Sequence, residues 1–111
     1  MNNYFNLYLF LKRFNIKKIN YILMDKSSYI KEWGPILDKY EPVQVLGAGS
    51  YGKVIEAIDK TTKKKVAIKK VNELFADIVD SKRVLREITL LRFMKNQFIV
   101  ELLDIQSFLF I

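Results

Sequence analysis

At 111 residues, half of them hydrophobic and with a formal charge of +7, the chain has room for one small domain with a packed core. It holds no cysteine, which excludes disulfide staples and thiolate metal sites and suits a reducing compartment, the cytoplasm or the nucleus. It also holds no histidine, which excludes His-ligated zinc and every His-based acid–base or triad mechanism.

Residues 1–23 (MNNYFNLYLFLKRFNIKKINYIL) carry Lys12, Arg13, Lys17 and Lys18 without an acid, and so hold more than half of the net charge. Their uncharged run, residues 1–11, falls short of the ~20 apolar residues of a membrane helix. The charges follow that run instead of preceding it, unlike a signal peptide. The expectation is an unstructured basic and aromatic extension, with Met24-Asp25 as an alternative start. Residues 24–39 read as a connector in which Gly34-Pro35 interrupts any helix.

From Tyr40 the pattern sharpens. Val43 and Val45 lead as a strand into a glycine cluster; residues 53–59 and 65–71 are short β-branched runs separated by a polar turn, residues 60–64. In residues 81–95 the period changes: Val84, Leu85, Ile88 and Leu91 follow helical spacing, with Asp80 or Ser81 as N-cap. Residues 99–105 read as a further strand, and residues 106–111 as an apolar tail. The order β-β-β-α-β over residues 40–105 predicts an α+β unit.

Gly47-Ala48-Gly49-Ser50-Tyr51-Gly52 fits G-x-G-x-x-G, a weak signal alone, because three glycines can simply close a hairpin. A dinucleotide fingerprint needs a helix after the glycines, and a strand pattern follows here. A Walker A loop needs Ser or Thr after its lysine, whereas Val54 follows Lys53. The pattern G-x-G-x-x-G-x-V remains: a strand–turn–strand flap over ATP, with Leu46 and Val54 as an apolar roof. It predicts V-A-I-K on the next strand, and Val66-Ala67-Ile68-Lys69 is there. Alternation puts Ala67 and Lys69 on one face, leaving room for adenine while Lys69 reaches the phosphates. Lys70 is the rival, but it shares a face with Ile68 and reads as solvated. Glu87 shares a helical face with Leu91, and a carboxylate there needs a partner; Lys69 is the natural one.

LGAGSYGKV, VAIKKV and LREITLLRF, in this order, resemble the small lobe of protein kinases over residues 40–105, and DSKRVLREI is most similar to mitogen-activated protein kinases. The resemblance implies a kinase small-lobe fold, an antiparallel sheet with one packed helix. It implies a serine/threonine kinase using ATP and magnesium on protein substrates, with Lys69 and Glu87 as its catalytic pair. Nucleotide contacts would come from Leu46, Gly47, Ala48, Gly49, Ser50, Tyr51, Gly52, Lys53, Val54, Ala67 and Lys69, with Lys70 as the alternative to Lys69. Leu91 and either Leu102 or Leu103 would belong to an apolar spine, and Arg83 and Arg86 would face a phosphorylated loop. The family's H-R-D and D-F-G segments, which supply the catalytic base and the magnesium ligands, do not occur in these residues, so turnover is not expected. Two other readings stand beside this one: a non-catalytic module that docks a partner through a sheet edge and the helix, and a basic nucleic-acid binder.

Overall fold

Uninterrupted and alternating apolar runs build the strands, and a shift to helical spacing builds the long helix. The computed structural model describes residues 4–12, 22–23, 26–49, 52–74, 76–94 and 100–110. In chain order the elements are β1 (Tyr4–Lys12), β2 (Ile22–Leu23), α1 (Lys26–Trp33), a 3-10 turn (Gly34–Ile36), β3 (Tyr40–Gly49), β4 (Gly52–Asp59), β5 (Lys65–Leu74), α2 (Ile78–Phe93) and β6 (Leu102–Phe110). The strands form one six-stranded sheet in the order β2-β3-β4-β5-β1-β6, antiparallel at each of its pairings.

The order β-β-β-α-β appears as β3-β4-β5-α2-β6. The β4–β5 turn is closed by Asp59, whose carboxylate accepts from the backbone N–H of Thr61 at 2.8 Å and of Thr62 at 3.3 Å. Asp59 and Lys64 add a backbone bond at 2.9 Å, and Lys63 takes the left-handed conformation that the tight turn requires. The N-cap of α2 is Asp77, not Asp80 or Ser81: its carboxylate accepts from Val79 N–H at 2.8 Å and Asp80 N–H at 3.2 Å. Asp80 instead lies in the first turn, where its charge suits the helix dipole.

The N-terminal extension is corrected most. Residues 4–12 are not unstructured: they form β1, an inner strand between β5 and β6. Asn6, Leu7, Tyr8, Leu9 and Phe10 are all buried. An uninterrupted apolar run is what a strand covered on both faces needs. The connector is also corrected, since residues 26–33 form α1, which stops where Gly34-Pro35 was expected to stop it. The final strand begins at Leu102 and continues to Phe110, so most of the expected tail is strand; Ile99 lies outside the described residues.

Register divides the sheet into two faces. On one, Leu7, Leu9 and Val71 pack against Val84 and Ile88 of α2 and Leu102 and Ile105 of β6. On the other, Tyr8, Phe10, Ile55, Ala57, Val66 and Ile68 enclose Trp33, Ile36 and Tyr40. There the Tyr8 and Trp33 rings meet edge-on at 5.8 Å, and the Phe10 and Tyr40 rings stack at 4.7 Å.

Candidate functional site

The glycine cluster closes the β3–β4 hairpin. Gly47 pairs with Val54, Ala48 with Lys53 and Gly49 with Gly52, while Ser50 and Tyr51 at the tip lie outside the described residues. Gly52 is required twice over. Its φ of +126° disfavours a side chain, and a Cβ there would collide with the Lys70 carbonyl oxygen. Gly47 and Leu46 are half-buried, and Ala48 and Gly49 are exposed. A register shift between Val45 and Gly47 leaves Leu46 without a direct cross-strand partner.

On β5, Lys69 pairs in register with Val54 of β4 and Leu9 of β1, so the three side chains share the α2 face. Ala67 is two residues away on the same face, facing Glu56 and Leu11. Glu87 projects from α2 towards this face, in a turn anchored by Val84 and Ile88 against Leu7 and Leu9. The Lys69 ammonium donates to both Glu87 carboxylate oxygens, at 3.0 Å and 2.9 Å. The Lys69 side chain is 19% exposed and that of Glu87 37%, so the pair is shielded yet reachable from solvent.

Lys70 goes elsewhere. It was expected to be solvated, but it is buried on the opposite face. Its ammonium donates to the Glu32 carbonyl at 3.0 Å and lies 6.0 Å from the Tyr8 ring centroid and 5.8 Å from that of Trp33. Burial pushes its pKa below the ordinary lysine value; nearby Lys53 lowers it further, and Glu32 opposes both. Lys53, across the ladder from Lys70, forms a 3.0 Å ion pair with Glu32 of α1. Lys53 and Lys70 therefore belong to the α1 face, away from Lys69.

One feature of the α2 face was not anticipated. Glu56 is buried beside Ala67, accepts from Gln44 Nε2 at 3.1 Å and lies 3.8 Å from Lys65 Nζ. Its signal was available: Glu56 alternates with Val54 on one strand, which sets a carboxylate on the face already marked for function. Arg83 is exposed and lies 3.7 Å from Asp80; Arg86 is exposed as well. Leu91 and Leu102 are half-buried, whereas Leu103 is 49% exposed. Among the described residues no helix is long and apolar enough to cross a membrane.

Comparison with known proteins agrees with this geometry. Residues 40–107 match the family model of the protein kinase domain. Mitogen-activated protein kinase 8 of Arabidopsis thaliana is 39% identical over 93 residues, covering 79% of this chain and 16% of its own. Mitogen-activated protein kinase 18 of Arabidopsis thaliana is 46% identical over 80 residues (72% and 13%). Mitogen-activated protein kinase 16 of Oryza sativa subsp. japonica is 46% identical over 77 residues (69% and 15%). The chain thus spans about one sixth or less of the length of these relatives. No solved structure matches it. The chain belongs to the protein kinase domain family, and its matched part corresponds to a small lobe of the mitogen-activated type.

Proposed function

We propose that this member of the protein kinase family holds ATP under the β3–β4 hairpin, with the phosphates directed at Lys69. The carrying observation is the two-pronged Lys69–Glu87 contact on the face that also bears Val54 and Ala67. Glycine backbone in the hairpin lets N–H groups approach phosphate oxygens, and Gly52 cannot be replaced without a backbone collision. Lys69 supplies a compact cation, which Glu87 holds in place for a phosphate. The small Ala67 side chain leaves space beneath the roof of Leu46 and Val54 for the purine. Among the described residues no group of three acidic or other metal-ligating side chains stands together. Magnesium would therefore arrive with the nucleotide, and no step through it is assigned to these residues.

Phosphoryl transfer to protein serine or threonine, with protein substrates in the cytoplasm or nucleus, is proposed for the complete kinase of this family. Residues 1–111 carry no H-R-D or D-F-G segment and are expected to bind without turnover. Titration calorimetry with ATP tests the reading. The expected affinity is about millimolar, near −4 kcal/mol, and should fall further in Lys69→Met. Micromolar binding, or binding indifferent to Lys69→Met, would overturn it.

A further inference from the structure

The family match covers residues 40–107, yet the strands inside it do not make one continuous ladder. β3, β4 and β5 are hydrogen-bonded neighbours in chain order, whereas β6 pairs with none of them. The strand between β5 and β6 is β1, which comes from outside the match. Leu7 to Lys12 run against Val71 to Val66 on one side, and Tyr4 to Phe10 run against Phe110 to Asp104 on the other. At the end of β1, Lys12 N–H donates to the carbonyl of Glu101, just ahead of β6, at 2.9 Å. The next strand in sequence, β2, pairs with β3 at the far edge of the sheet, so the chain leaves β1 for the other side of the lobe.

We infer that the gap between β5 and β6 is a strand-binding slot, and that residues 4–12 are the extended peptide it holds. Without β1, the inner edges of β5 and β6 would present open N–H and C=O groups, the recognised template for strand addition. Alternation supplies the selectivity. Leu7 and Leu9 fill the α2 face beside Val84 and Ile88, while Tyr8 and Phe10 fill the face beside Trp33 and Tyr40. The slot thus takes a strand with aliphatic residues on one face and aromatic residues on the other. A slip of one residue would exchange the two sets, which fixes the register.

Occupation of the slot also positions the nucleotide site. Leu9 stands beside Lys69 in the ladder, and Leu7 and Leu9 are the floor on which the Val84–Ile88 turn of α2 rests. Glu87 belongs to that turn. The donated strand therefore sets the distance between the helix and Lys69, although it touches no nucleotide. This second consequence rests on the nucleotide reading; the slot itself does not.

The test uses the full chain with a specific protease site placed within residues 13–21. After cleavage, residues 1–12 should stay attached through gel filtration, and the amides of β5 and β6 should keep their protection from hydrogen exchange. A labelled synthetic peptide of residues 4–12 should enter the cleaved protein, and the same peptide carrying Leu9→Pro should enter roughly tenfold less or worse. Should the remainder precipitate on cleavage, excess wild-type peptide should prevent it; precipitation that the peptide cannot prevent counts against the slot. Release of residues 1–12 with a monomeric remainder and unchanged β5 and β6 protection overturns the proposal. No readout involves ATP, so a failure of nucleotide binding leaves this result intact.

Discussion

Lys69 and Lys70 are adjacent on one strand and chemically alike, yet they lead opposite lives. Lys69 faces α2 and meets both oxygens of a carboxylate, where water can still reach the pair. Lys70 faces α1, where a backbone carbonyl and two aromatic rings receive it in a buried pocket. The first arrangement leaves a cation partly open to solvent, as the proposed phosphate contact needs. The second uses a cation to close a core, and its depressed pKa records the desolvation involved. The alternation of a strand is enough to separate the proposed binding face from a structural one.

The largest effect should come from the α1 face itself. Phe10→Ala removes a fully buried ring stacked on Tyr40 and is expected to cost about 3–5 kcal/mol, a large share of a small domain's stability. Ile88→Ala, at a half-buried position of α2 on the other face, should cost about half as much. Chemical denaturation compares them, and equal losses would break the distinction between the faces. Gly52→Ala comes next, at about 2 kcal/mol, because it combines a disfavoured φ with a collision at the Lys70 carbonyl. An unchanged melting temperature would show that the hairpin can move off β5.

Lysine exchanges sharpen the contrast at smaller cost. Lys69→Met should weaken ATP binding while changing stability by no more than about 1 kcal/mol. Lys70→Met should leave ATP binding alone and hold or raise stability, since a buried cation gives way to an apolar chain of similar volume. Loss of ATP binding in both variants would remove the separation.

Alkaline titration reads the buried α1 face through pH. Burial pushes the Tyr8 phenol up to about 12 from its ordinary 10.0, with a minor contribution from Glu32 against an Asn6 hydrogen bond. A phenol raised on folding stabilises fully below pH 10 and loses that contribution as pH rises towards 12. Lys70 is shifted the other way. Its folded form holds the proton less tightly, so its contribution improves as pH rises towards 10.5. Stability should therefore rise slightly before it falls. Tyr8→Phe should reduce the fall, leaving the part that the likewise raised Tyr40 phenol contributes, Lys70→Met should reduce the rise, and a profile unmoved by either variant would show that neither group is linked to folding.

What the sequence revealed follows from how local each feature is. The hairpin glycines, V-A-I-K and the Val84–Ile88 periodicity are each read from a dozen residues, and the structure assembles them with Lys69 against Glu87. The burial of Lys70 was illegible because its acceptor, Glu32, is 38 residues away and Tyr8 is farther still. β1 was misread because its apolar run has no alternation to mark a face, and its two partners lie far along the chain. The helix cap was misplaced within a short stretch where Asp77, Asp80 and Ser81 all offer a suitable oxygen.

The pairing of Tyr4 with Phe110 has a consequence in time. A ribosome adding about 5–20 residues per second makes β1 first and completes its second partner roughly 5–20 s later. Until β5 is made a strand with the sequence Leu-Tyr-Leu-Phe has neither neighbour, from then until β6 is made it has only one, and closing so long a loop delays its full capture further. Nascent chains should therefore bind a holding chaperone through residues 4–12 until Leu102–Phe110 emerges, and synthesis slowed within residues 75–100 should lengthen that association in proportion.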